Sequence, residues 1–243
     1  GVDTGMHRLG FQPQEATQTY LALSNTDNVA KPIVAASHFA CADDLGSSAT
    51  KKQMAIFDRW ITTLKPTAGD VIAESLANSA AILAWPETHR DWQRPGYMLY
   101  GNSPFSEGQD NANKLQPVMS LQSAVISVRH IASGESVGYT ANWTAGRDSI
   151  IATITVGYGD GYPRQAPNGT PVLVNGERCP LVGRVSMDMI TVDVTDLNPV
   201  SIGDKVILWG PELSVNEIAE YCNTIGYELL TRMPSRVPRV YSN

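Results

Sequence analysis

The sequence has 243 residues, a mass of 26.3 kDa and 42% hydrophobic residues, which is enough apolar material for one large domain or two modest ones. A net charge of −6 and a pI near 5.2 argue against a nucleic-acid surface, and no apolar run approaches the roughly 20 residues of a membrane span. Three scattered cysteines (Cys41, Cys179, Cys222) and four histidines without H-x-x-x-H spacing argue against a metal site and for unpaired thiols in a reducing cytoplasm.

The opening residues Gly1–Gly10 read as the end of a buried strand and its loop, not as the start of a protein. Gln14–Ser24 is predicted to be helical. Pro32–Phe39 is a short apolar strand ending in Ser37 and His38. Ala49–Leu64 sets Met54, Ile56, Phe57, Trp60, Ile61 and Leu64 at helical spacing. Val71–Ala77 is the next strand candidate, followed by Asn78-Ser79 and the apolar turn Ala80–Leu83. Trp92–Gly101 then brings Arg94-Pro95-Gly96-Tyr97. This β-α-β-α rhythm predicts an α/β fold, a parallel sheet or part of a (β/α) barrel.

Residues 102–118 are rich in Asn, Ser, Gln, Pro and Gly and read as a linker. Strands are predicted beyond it at Ala124–Arg129, Ser149–Val156, Pro171–Val174, Pro180–Val185, Ile190–Val194 and Lys205–Trp209. Asn175-Gly176 is a hairpin turn signal, and Ser214-x-x-Glu217 is a capping box opening one late helix. The division expected is 1–118 and 119–243, the second part mostly antiparallel β, a small barrel or sandwich.

In a (β/α) barrel the functional side chains project from the C-terminal ends of the strands. The strand ends here offer Arg8, Ser37, His38, Asn78, Ser79, Arg94, Gly96 and Tyr97. Asn78-Ser79 reads either as a plain N-cap or as a phosphate seat, and His38 alone reads as a structural histidine. Their repetition at successive strand ends turns the reading toward a site. Three later segments also stand out: Ser136–Ala141, with a tyrosine in a glycine-containing turn; Val156–Arg164, dense in Gly and Tyr; and Gly183–Met189, where an acid lies between two methionines.

Val-Asp-Thr-Gly-Met-x-Arg-Leu-Gly, Ser-His-Phe-Ala-x-Ala-Asp, Ala-Asn-Ser-Ala-Ala, Arg-Pro-Gly-x-x-Leu-Tyr-Gly, Val-Gly-Tyr-x-x-x-Trp, Gly-Tyr-x-Asp-Gly-Tyr-x-Arg and Gly-Arg-Val-x-Met-Asp occur in that order. The set closely resembles the alanine racemase family, from residue 1 to about Tyr241. The resemblance implies a (β/α)8 barrel followed by a β-domain, and a head-to-tail homodimer with shared active sites. It also implies interconversion of L- and D-alanine through a pyridoxal 5′-phosphate aldimine by two-base proton transfer. On this reading Tyr139 matches a proton-transfer base given to the partner subunit's site, His38 the histidine bonded to it, and Arg94 the arginine facing the pyridine nitrogen. Ser79, Gly96 and Tyr97 match phosphate-side positions, with Asn78 beside them. Arg8 matches the arginine near the cofactor hydroxyl and the substrate carboxylate. Met187 matches a backbone donor to that carboxylate, Asp188 its acidic neighbour, and Tyr158 a tyrosine gating access.

Three departures bear on activity. The family's Schiff-base lysine belongs at a strand end in a Lys-x-x-x-Tyr-Gly context, and none of Lys31, Lys51, Lys52, Lys65, Lys114 or Lys205 has it. Gly1 stands where many relatives have a lysine that can be carbamylated. Ser235 stands where some members carry a phosphate-contacting tyrosine. The chain is therefore expected to be the second half of the barrel plus the β-domain, inactive alone and prone to self-association. A serine or broad-specificity amino-acid racemase, or a non-catalytic racemase-derived module, are the alternative readings.

Overall fold

The computed structural model describes residues 1–68 and 72–241; Val71, the first residue of one predicted strand, lies outside them. The chain divides into two compact units, Gly1–Leu115 and Gln116–Asn243.

The first unit holds α1 (Pro13–Ser24), β1 (Val34–Ala36), α2 (Ala49–Ala68), β2 (Ala73–Ser75) and α3 (Ser79–Ala84). β1 and β2 pair in parallel, Val34 opposite Ala73 and Ala36 opposite Ser75. The ladder continues on both sides. Val2 N–H donates to Ala36 O at 2.8 Å, Ser37 N–H to Ser75 O at 3.1 Å, and Arg94 N–H to Ala77 O at 2.9 Å. A parallel bridge joins Ser75 to Trp92. Four segments thus lie side by side in chain order, which brings Arg8, Ser37–His38, Asn78–Ser79 and Arg94 to the same ends of the ladder. The strands proper are shorter than the apolar runs that suggest them.

The helical spacing of α2 is realised as a buried stripe of Phe57, Trp60, Ile61 and Leu64, packed with Leu76, Ala77, Ala81 and Leu83. α2 runs four residues past Leu64, through Pro66, whose missing amide falls in the last turns. Its far end lies beside a charged cluster on β2. Glu74, 8% exposed, is 3.6 Å from Arg90 and 3.8 Å from Lys65, and Arg90 also pairs with Asp58 at 2.7 Å. Burial raises the Glu74 carboxyl above its ordinary value, against the pull of Arg90 and Lys65. The folded state therefore holds this proton more tightly than the unfolded chain. That contribution to stability is fully present below about pH 4.5 and is lost as pH rises through the folded value. Because Gln mimics the protonated acid, the Tm of Glu74→Gln should gain on the parent as pH rises from 4.5 through the folded value and then level off. A difference that shrinks over that range would contradict the assignment.

Residues 102–115 are not a free linker. Phe105 and Ala112 are buried in the first unit's core, and the side chains of Gln109 and Asn111 both donate to Leu83 O. The polar composition that suggested a linker is spent on backbone partners.

The second unit contains β3 (Leu121–Ile131), β4 (Ser136–Val137), β5 (Trp143–Thr144), β6 (Ser149–Ile154), β7 (Pro171–Val174), β8 (Glu177–Pro180), β9 (Ile190–Asp193), β10 (Lys205–Trp209), α4 (Val215–Tyr221) and α5 (Gly226–Thr231). Six strands form an antiparallel sheet in the order β8-β7-β10-β3-β6-β9. An antiparallel bridge between Leu181 and Val192 joins the last strand back to the first, so the sheet is nearly closed. Asn175 and Gly176 take φ of 51° and 85° and make the β7–β8 hairpin turn. The strand expected over Pro180–Val185 is instead Glu177–Pro180, because the tight turn starts the return strand immediately. Ser214 caps α4 by accepting from Asn216 N–H, but no capping box forms: the Glu217 carboxylate pairs with Arg178. A second late helix, α5, follows the one expected.

Among the described residues no helix is long and apolar enough to cross a membrane.

Candidate functional site

In the first unit the polar strand ends surround a hollow of about 210 Å³ whose wall includes Asp3, Met6, Arg8, Ser37, His38 and Arg94. Asp3 builds one side of it. Its Oδ1 accepts the amides of Gly5, Met6 and His7 at 2.9–3.1 Å, curling the loop that carries Arg8. Those backbone donors, with His7, hold the Asp3 carboxyl below its ordinary value. The floor is a buried network. Ser37 Oγ donates to Val2 O at 2.7 Å and lies 2.8 Å from Thr4 Oγ1, while Gln53 of α2 donates to Thr4 Oγ1 and to His38 O.

Arg94 is fixed by three acceptors. Nη1 donates to Ser75 Oγ, and Nη2 donates to Ser37 O at 2.6 Å and to Leu76 O at 3.2 Å. Its Nε–H donates to no described group, which leaves a cationic donor spare. Burial lowers the Arg94 pKa, but a guanidinium stays charged. The His38 imidazole hydrogen-bonds to no described group. Burial lowers its pKa first, and the positive charges of Arg94 and Arg8 lower it further. His38 is therefore neutral at pH 7, and the positive charge of this wall belongs to the arginines.

Ser79, Gly96 and Met98 form a polar knot in the same unit, with the buried ring of Tyr97 between the last two in sequence. Buried Ser79 Oγ accepts from Gly96 N–H at 2.9 Å and Met98 N–H at 3.3 Å, and so retains its own O–H as a donor. Asn78 Oδ1 accepts from Ala81 N–H, so this side chain serves as the N-cap of α3.

In the second unit, Tyr139 sits at the tip of the β4–β5 hairpin. Gly138, Thr140 and Ala141 around it take φ of 76°, 63° and 48°, a rare run of left-handed residues that turns the ring outward. The ring is 71% exposed. It borders a groove of about 490 Å³ with Arg184, Ser186, Met189 and Thr191. Tyr158 and Met187 lie in two loops stitched together: Tyr158 N–H donates to Ser186 O at 3.0 Å and Gly159 N–H to Met187 O at 2.8 Å. The glycines of the Gly-Tyr-Gly-Asp-Gly run have a packing reason. A Cβ on Gly157 would overlap the carbonyl oxygens of Ser186 and Met187, and one on Gly159 would lie 2.9 Å from Arg236 Nη2. Among the described residues no group of three or more His, Cys, Asp or Glu could hold a metal ion.

The sequence pattern carries no signal for Ser75, Gln53, Thr4 or Asp3 as supports of the pocket. Their roles follow from contacts 15 to 49 residues away or from a curled loop, and small polar residues near strand ends are common.

Residues 1–104 match the family model described as alanine racemase, N-terminal domain, and residues 118–241 match that for the alanine racemase C-terminal domain. The chain belongs to the alanine racemase family. The alanine racemase of Vibrio cholerae serotype O1 is 50% identical over 240 residues, which are 99% of this chain and 65% of that protein. The alanine racemase of Photobacterium profundum is 50% identical over 242 residues, 99% of this chain and 66% of that protein. Among solved structures, the biosynthetic alanine racemase of Pseudomonas aeruginosa superposes with a TM-score of 0.92 at 48% identity, over 99% of this chain and 65% of that one. The alanine racemase of Bartonella henselae with covalently bound pyridoxal phosphate superposes with a TM-score of 0.86 at 34% identity, again over 99% and 65%. The chain thus spans about two thirds of the length of the alanine racemases it matches, and its fold is theirs: barrel-type N-terminal domain and β C-terminal domain.

Proposed function

We propose that this chain contributes the greater part of an enzyme that interconverts L- and D-alanine with pyridoxal 5′-phosphate. The observation that carries the reading is the first unit's pocket, in which a pinned arginine with a spare donor, an unpartnered neutral imidazole and a second arginine meet at neighbouring strand ends. Such a wall fits an anionic, aromatic cofactor: the charges of Arg94 and Arg8 attract it, and the pinned Arg94 offers a donor to a ring nitrogen. Arg94, Ser79, Gly96 and Tyr97 would hold it, with Asn78 shaping the turn and Arg8 placed for its hydroxyl and the substrate carboxylate. When bound, the cofactor supplies an electron sink that acidifies the substrate α-carbon. A permanently charged Arg94 keeps the ring nitrogen from taking a proton and so restrains that sink. In the proposed homodimer His38 would orient the Tyr139 supplied by a partner subunit, the base on one face. Met187 N–H, which donates to no described group, is available to a substrate carboxylate, with Asp188 and Tyr158 beside it.

The ladder of the first unit is the second half of an eight-stranded barrel. Tyr139, displayed outward on its strained turn, serves the site of a partner subunit in a homodimer. The three thiols form no disulfide, which agrees with action in the cytoplasm. Finally, this chain by itself does not racemise alanine, because none of its six lysines lines the pocket or ends one of its parallel segments. It self-associates, since Leu9, Trp92 and Leu99 of the first unit are left exposed.

The test is one assay on two samples. The whole gene product, supplied with pyridoxal phosphate, should racemise L-alanine in preference to L-serine, and the purified 243-residue chain should not. Serine preference, or no racemisation by the gene product, would overturn the proposal; full activity of the isolated chain would remove its last part.

A further inference from the structure

Three segments of the second unit that are remote in sequence converge on one guanidinium. Arg236 Nε donates to Asp160 Oδ1 at 2.9 Å, and its Nη2 donates to Asp188 Oδ1 at 2.5 Å. The other Asp160 oxygen accepts Gly157 N–H at 2.9 Å, so this carboxylate ties the turn bearing Tyr158 to Arg236. Asp188 ties the Met187 loop to the same group. The two carboxylates raise the Arg236 pKa.

We infer that Arg236 is a positioning residue that sets the spacing between Tyr158 and the Met187 backbone, and through it the fit of the substrate carboxylate; this rests on the reading of those two groups as substrate-side. Exposed ion pairs contribute little to stability. Arg236 differs in what it separates. Without it, Asp160 and Asp188 would face each other as like charges across the seam between the two loops. Among the described residues, the hydrogen bonds that then remain across the seam are the amide contacts of Tyr158 and Gly159. The lack of a side chain on Gly159 is what lets the guanidinium reach across. A lysine at this position would supply charge, but not a planar fork able to serve both acids at once.

The experiment compares parent, Arg236→Ala and Arg236→Lys in the whole gene product with its cofactor. It measures KM and kcat for L-alanine and, without substrate, amide hydrogen exchange at Tyr158 and Gly159. For Arg236→Ala we expect KM to rise about tenfold with kcat within about threefold. Exchange at both amides should accelerate, and Arg236→Lys should recover part of each effect. An unchanged KM overturns the inference even if exchange accelerates, because the contact would then be structural only. Unchanged exchange overturns it whatever the KM. If the parent does not racemise alanine, the proposed function falls, and the exchange result alone decides whether Arg236 holds the two loops.

Discussion

Replacing Arg94 by alanine is expected to lower racemisation by the whole gene product by a factor of about a hundred or more. It should also move the His38 pKa upward, toward the ordinary imidazole value. Both effects come from the same position. Arg94 satisfies Ser37 O, Leu76 O and Ser75 Oγ, and its departure strands three acceptors at two neighbouring strand ends in a half-buried wall. It is also the larger of the two charges that lower the His38 pKa. Removing a cation makes protonation of the imidazole easier, so the shift is upward, whereas a histidine remote from Arg94 would not respond. Imidazole NMR titration reads this without any assay. Arg94→Lys keeps a charge but cannot reach three acceptors from one planar group, so it should preserve much of the His38 value and recover only part of the activity. A His38 titration identical in the parent and Arg94→Ala would contradict the electrostatic account.

Gly157→Ala is expected to destabilise the second unit by about 3 kcal/mol. This would appear as a fall in its melting temperature of about 10 °C. The reason is steric. Gly157 has an extended backbone that any residue can adopt, φ −150°, but a Cβ there would overlap the carbonyl oxygens of Ser186 and Met187. Neither oxygen can withdraw without breaking the amide contacts from Tyr158 and Gly159. Gly146→Ala is the control: nothing lies within 4 Å of the added carbon, so its melting curve should coincide with the parent's. Equal melting of Gly157→Ala and the parent would mean that the two loops are not packed as described.

Much of this is legible from local pattern. The apolar spacing of Ala49–Leu64 states the helix and most of its buried face, because a helix repeats its neighbours every turn; Ile56 is the exception and lies exposed. Asn175-Gly176 states its turn, because few residues tolerate two successive left-handed conformations. Polar residues closing short apolar runs point to the rim where Arg8, His38 and Arg94 gather. What stays hidden is long-range. The Gly-Tyr-Gly-Asp-Gly run reads as a decorated turn until Ser186, Met187 and Arg236 are placed against it. Residues 102–115 look like solvent-exposed connection because their Asn and Gln have no visible partner along the chain, and the partner is the carbonyl of Leu83. Glu217 matches a capping motif, yet a residue 39 positions away claims its carboxylate. A motif states what a side chain can do, and the competing partner decides what it does.

The bridge between Leu181 and Val192 has a consequence for how the polypeptide behaves at high concentration. Hydrogen-bonded strands that return on themselves present almost no open row of amides and carbonyls for another molecule to extend. The second unit is accordingly a poor template for fibril growth, and clumping during synthesis or storage should begin in the first.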